Sequence, residues 1–191
     1  MGMMSFKPSL TLKGRKFKWL GGFAGKPFHP PLTDIPSGAY IIAPILDIAS
    51  YAFSDRTWAP DTYRAAGFIF LIGAVFGALA SLTGFNDWLT TRKGTQIRRM
   101  ANAHAWTMIV MSLLVAFMLY TRFVASDLLT PSLAILILSI VIALFVTVGG
   151  TIGGSMVFDF GMNVEIADRD HPVYKPHTQD MIHPHDPPPP A

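Results

Sequence analysis

The sequence predicts an all-α integral membrane protein, a four-helix bundle of up-down-up-down topology. Three observations predict it. Four apolar stretches of about 20 residues are present, the length that crosses a bilayer as helix. Only 14% of the 191 residues are charged while 51% are hydrophobic, and the mean hydropathy is +0.40; a soluble domain of this size carries roughly a quarter charged residues. The cations also segregate: they fall before the first stretch, between the second and third, and after the fourth. The chain has no cysteine, which excludes disulfides, thiolate metal sites, iron–sulfur ligation and cysteine nucleophiles together.

Residues 1–28 form a basic amphipathic N-terminal segment. Lys7, Lys13, Arg15, Lys16, Lys18 and Lys26 occur without an acid, and Leu12, Phe17, Trp19, Leu20 and Phe23 interleave with them. No apolar core follows the charges as in a cleavable signal peptide. Two readings stand side by side: a segment lying on an anionic leaflet, aromatics in the interface, or a flank that only fixes topology.

The four-helix domain is expected over residues 29–164, with spans at about 35–54, 62–84, 103–122 and 131–152. Short connections favour antiparallel neighbours. Arg92, Lys93, Arg98 and Arg99 share a side with the N-terminal cations and with Arg169 and Lys175, which leaves Arg56, Arg64 and Arg122 for the other. The positive-inside rule then places both chain ends in the cytoplasm and the protein in a bacterial inner membrane.

In the first span, Pro36 is expected in the first turn, where a missing N–H does no harm, and Pro44 in the interior, where it loosens the helix. Tyr40, Pro44, Asp47 and Tyr51 fall on one face. An intramembrane aspartate is a functional candidate by default; the preferred reading of Asp47 is a carboxylate satisfied by a tyrosine hydroxyl or a freed carbonyl, ahead of a transport or proton role. The second span carries Gly73, Gly77, Ala80 and Gly84, a spacing that lets a helix approach closely. The third carries His104, Met108, Met111, Val115 and Met118 on one face; its methionines are read as packing. The fourth ends in Gly149, Gly150, Gly153 and Gly154.

The C-terminal segment 165–191 is rich in proline and histidine and reads as an extended tail. His177, His183 and His185 make it a candidate metal tract, although an arm lying along a partner subunit is preferred.

Alternating topology brings the start of the first span, the end of the second, the start of the third and the end of the fourth to one face of the membrane. His29, Asp34, Asp87, Asn102 and His104 gather there as a candidate polar cluster. A carboxylate beside a histidine fixes its tautomer and raises its basicity. The cluster is open to three readings: a structural network, a proton relay, or a haem b site with His29 and His104 as axial ligands. The last is set back in sequence terms, since His29 is expected in a loop before the helix.

The same residues carry a resemblance. His29-Pro30-x-Leu32-x-Asp34-x-Pro36-x-Gly38, Thr83-Gly84-x-x-Asp87-Trp88, His104-Ala105 and Gly153-Gly154-x-x-Val157-Phe158-x-x-Gly161 resemble a bacterial family of four-helix membrane proteins, domain of unknown function 2231. The resemblance spans about residues 25–164. It implies a four-helix membrane fold, and, through members joined to Rieske-type iron–sulfur domains, redox company. Where the family often shows a first histidine, this chain has Lys26.

No Ser/His/Asp arrangement, phosphate loop or metalloprotease motif is present, so the chain is expected not to be an enzyme. The preferred function at this stage is an accessory or scaffold subunit of a larger respiratory or oxidative membrane complex, holding other membrane subunits through its N-terminal segment and tail. A b-haem electron carrier is the alternative, and a transporter or metal-handling protein the second alternative. Nucleic acid is not an expected partner.

Overall fold

The computed structural model describes residues 19–22, 27–125 and 129–163. The tail with His177, His183 and His185, and nearly all of the basic N-terminal segment, lie outside the described residues. Four long helices account for most of what is described: α1 (His29–Ala52), α2 (Ala59–Thr90), α3 (Gln96–Tyr120) and α4 (Leu133–Phe158). Each is long and apolar enough to cross a membrane. Among the described residues there is no strand.

The helix starts follow from local chemistry. Thr95 and Ser132 cap α3 and α4, their side chains accepting from the backbone N–H of Arg98 and Ile135. α1 and α2 lack such caps and begin on prolines in the first turn, where the missing N–H has no intrahelical partner to lose. That explains the main departure from the expected boundaries: α1 begins at His29, not near residue 35. The first span was expected to start at the Pro36 turn; Pro30 and Pro31 open the helix instead. Pro36 and Pro44 consequently both lie inside α1. The last turn of α3 widens into a π-helical turn, Thr121–Ala125, which contains Arg122.

Consecutive helices run antiparallel. Ser50 near the end of α1 donates to the carbonyl of Ala59 at the start of α2, 2.8 Å. Arg98 at the start of α3 donates to the Trp88 carbonyl near the end of α2, 2.5 Å, and stacks on the Trp88 ring at 3.6 Å. The closest packing is α1 on α2 and α3 on α4; α1 also meets α4, and α2 meets α3 most loosely. The bundle is thus two helix pairs laid together, with α1 and α3 on one diagonal.

Small residues set the close approach of α1 to α2. A Cβ at Gly73 would stand 2.6 Å from the Tyr40 ring and 2.9 Å from the Ala39 Cβ. The core is built on Tyr40, Phe70, Met111, Val115, Met118 and Ile142, which makes the methionine stripe of α3 a packing face as expected. The outer surface is apolar, with Ile41, Ile45, Leu71, Val75, Leu113, Phe117, Leu144 and Val148 exposed. Lipid covers such a surface, so helix association depends on packing and polar contacts instead of on hydrophobic burial. The inward face of α1 differs from expectation at one point: Tyr40, Pro44, Asp47 and Ser50 are buried, whereas Tyr51 faces out.

Candidate functional site

Two polar centres lie at opposite ends of the bundle. At the end where α1 begins and α4 ends, His29 and His104 face each other across the diagonal, their ring centres 6.3 Å apart and their planes at 90°. Each ring is fixed in the same manner. The Nδ1 of His29 is 2.9 Å from the Ala80 carbonyl on α2, and the Nδ1 of His104 is 2.9 Å from the Gly149 carbonyl on α4. A carbonyl can only accept, so in both rings Nδ1 carries the hydrogen and donates it. In the neutral imidazole each Nε2 then has its lone pair to offer.

Glycines seat the two rings. A Cβ at Gly84 would stand 2.6 Å from His29 Cε1, and one at Gly153 would stand 3.3 Å from His104 Cε1. At Gly149 a Cβ would overlap the Met108 methyl. The glycines that read as a helix-approach stripe are thus also the floor beneath each imidazole. The rings lie below the helix ends: α2 continues from Gly84 to Thr90, α3 begins at Gln96 and α4 continues from Gly153 to Phe158. At 1.5 Å rise per residue these extensions cover the site by roughly 8–12 Å.

The rest of the expected cluster divides. Asp87 is buried beside Asn86 and Asn163 and within electrostatic reach of His29. Asn102 is at the same end but accepts from the Trp88 indole, 2.8 Å, in an exposed link between α2 and α3. Asp34 is exposed on the outside of α1 and takes no part in the cluster. Among the described residues neither histidine is hydrogen-bonded to a carboxylate; backbone carbonyls orient both rings.

The second centre is at the other end. Asp47, on α1, is fully buried and forms an ion pair with Arg122, whose side chain is 2% exposed. Ser139 of α4 donates to the same carboxylate oxygen, 2.6 Å. Arg122 also donates to the Tyr63 carbonyl of α2, 3.0 Å, and to the Met118 sulfur, 3.1 Å, and lies over the Tyr63 ring at 4.3 Å. Oδ2 of Asp47 is therefore satisfied by a guanidinium and a serine, not by a tyrosine hydroxyl or a freed carbonyl, while Oδ1 is buried with no partner among the described residues. Arg122 is the residue that sequence reasoning misplaced, counting it with the loop cations. The signal was present: Arg122 continues the stripe of His104, Met108, Met111, Val115 and Met118 by one further step of four.

A bare metal ion has too few ligands at the histidine end. Among the described residues no three of His, Cys, Asp and Glu come together to hold one, and protein zinc sites take three or four. A haem requires only two axial ligands, because the macrocycle fills the equatorial plane. Two imidazole nitrogens at about 2 Å from a shared metal, each about 1.2 Å in front of its ring centre, put the ring centres about 6.4 Å apart. The observed 6.3 Å fits that span, and the donor set fits the group.

Fold and site together define an integral membrane protein of four helices with a paired-histidine centre near one surface. The family described as "Predicted membrane protein (DUF2231)" matches residues 25–166, and the chain belongs to that family. No curated protein matches the chain, and no solved structure does.

Proposed function

We propose that the chain is a membrane-embedded electron carrier holding one b-type haem between His29 and His104. The observation that carries this reading is the facing pair of imidazoles, 6.3 Å apart, each donating through Nδ1 to a backbone carbonyl. That hydrogen bond fixes the tautomer and the ring orientation, and it raises the basicity of the opposite nitrogen, as outer-shell partners of metal-bound histidines do. This reading takes precedence over the accessory-subunit role favoured by sequence because His29 is a helical residue set opposite His104, so the two ligands lie at matched depth. The haem, when bound, supplies one-electron redox chemistry. The chain's own residues bind and orient it, with Met108 packed at Gly149 beside His104, and transform no substrate.

The proposal includes location. The clustered cations Arg92, Lys93 and Arg99 in and beside the α2–α3 connection support a cytoplasmic position for the histidine end in a bacterial inner membrane.

An optical spectrum of full-length protein made with ample haem supply tests the reading. A Soret band and the reduced bands of a six-coordinate low-spin haem are expected. They are expected to be lost in His29→Ala and in His104→Ala, and kept in Asp34→Asn. Purified wild-type protein without a Soret band overturns the proposal, as does an unchanged low-spin spectrum in either alanine variant.

A further inference from the structure

The hairpin between α2 and α3 carries four cations in the stretch 92–99: Arg92, Lys93, Arg98 and Arg99. They do not share one fate. Arg98 folds back over the end of α2, donating to the carbonyls of Trp88 and Thr91 and to the Thr91 hydroxyl, and it covers the Trp88 ring. It is thus engaged within the fold. Arg92, Lys93 and Arg99 are exposed, and among the described residues their side chains have no ion-pair or hydrogen-bond partner. The nearest acid in sequence, Asp87, is turned inward and is 7% exposed. The hairpin is also held in shape. Gly94 makes the turn at φ +83°. The Thr95 hydroxyl donates to the Arg92 carbonyl at 2.7 Å and accepts from the first turn of α3. The Trp88 indole joins α2 to Asn102 of α3.

The surface of α2 just before this hairpin is apolar. Phe85 and Leu89 are 60% and 58% exposed, and Phe85 stacks on Trp88 at 5.7 Å. Phe85 stands about 8 Å below Thr90 along the helix axis. Exposed apolar side chains with a tryptophan beside them and cations one turn above are the order of groups met on leaving the hydrocarbon for the headgroups. Charge complementarity then names the occupant: three unpaired cations call for an anion. A soluble acidic protein could cover the cations but not the apolar side chains, which lie at membrane depth. A lipid meets both. We propose that the rim between the end of α2 and the start of α3 binds an anionic phospholipid, its phosphate among Arg92, Lys93 and Arg99 and its acyl chains along Phe85 and Leu89. The pinned hairpin presents these cations with little ordering left to do on binding. The assignment rests on the membrane-spanning fold and not on the haem reading.

Native mass spectrometry of delipidated full-length protein in a neutral detergent, titrated with phosphatidylglycerol, tests it. Saturable binding is expected, tighter than that of phosphatidylcholine. Each of Arg92→Gln, Lys93→Gln and Arg99→Gln is expected to weaken it about fivefold, the share of one cation at an anionic surface. Arg56→Gln removes an exposed cation at the opposite end of the bundle and is expected to leave binding unchanged. Circular dichroism checks that all the variants are folded. Equal affinity for the two lipids overturns the proposal. Full binding in the triple variant overturns it too, since the lipid then sits elsewhere on the chain. A loss as large in Arg56→Gln marks general charge attraction and overturns it. So does equally tight binding of soluble glycerol 3-phosphate, which has no acyl chains to lie along Phe85 and Leu89. Binding that appears only after residues 165–191 are removed assigns the rim to the chain's own C-terminal segment and overturns it as well.

Discussion

Replacing Arg122 by methionine leaves the Asp47 carboxylate in a fully buried position with only Ser139 to donate to it. The wild-type pair gains from three helices at once, because Arg122 also ties the Tyr63 carbonyl and the Met118 sulfur. Breaking a buried ion pair from one side costs about 3–5 kcal/mol, most of it the penalty of the charge left behind. Removing both partners at once, as in Asp47→Leu with Arg122→Met, takes that penalty away and leaves an apolar contact of similar volume, which in other buried pairs is neutral or stabilising. The expected pattern is thus two damaging single changes and a double change close to wild type, with a coupling close to the sum of the two single costs, about 6–10 kcal/mol. Reversible unfolding in mixed micelles, followed by far-ultraviolet circular dichroism, measures all four corners of the cycle. If the double variant is as unstable as the sum of the singles, the pair is not the unit described, and the end of the bundle opposite the histidines is held by something else.

Two further outcomes follow from the geometry. Gly84→Val places side-chain atoms where His29 Cε1 stands, 2.6 Å from the Cβ position, so it is expected to displace the ring and cut low-spin haem content at least tenfold. Gly38→Ala, with nothing within 4 Å of its Cβ position, leaves that content unchanged, and equal spectra in the two variants refute the seating role. Because the chain has no cysteine, single Lys93→Cys and Asp55→Cys variants report the topology of the two ends. A membrane-impermeant maleimide on intact spheroplasts is expected to label Asp55→Cys and spare Lys93→Cys; the reverse pattern refutes the cytoplasmic placement of the histidine end.

The four spans were legible because apolar length is a local property, and so was the antiparallel order, because the connections are short. The approach of α1 to α2 was legible in Gly73, Gly77 and Gly84 for the same reason. What escaped was pairing between distant positions. Asp47 and Arg122 are 75 residues apart, and nothing local to either names the other. Arg122 lies so near the end of its span that a cation count assigns it to the loop, whereas the wider turn at Thr121–Ala125 accompanies a side chain directed inward. His29 falls outside the expected helix because the sequence reading puts Pro36 in the first turn, whereas Pro30 and Pro31 occupy that position, which tolerates proline better than any other in a helix. Asp34, five residues on, was grouped with His29 by sequence proximity; helical rotation turns it outward.

The unequal construction of the two ends bears on how the histidine centre works. In lipid, apolar surface gives the helices little reason to associate, so polar contacts between them count for more. At the end opposite the histidines the Arg122 side chain joins α3 to Asp47 of α1 and Tyr63 of α2, and Ser139 brings in α4. All four helices meet in one network. At the other end, among the described residues, His29 bonds only to α2 and His104 only to α4, so neither imidazole bridges the two helix pairs. The α2–α3 side there is joined at its rim by Arg98, Trp88 and Asn102. A bundle tied through all four helices at one end, and joined at the other along its α2–α3 rim, can receive a flat group between the two imidazoles while its helices stay in register. On the haem reading, the Asp47–Arg122 pair is then the hinge end of the fold, and its loss should loosen the spacing of His29 and His104 about 27 Å away along α1.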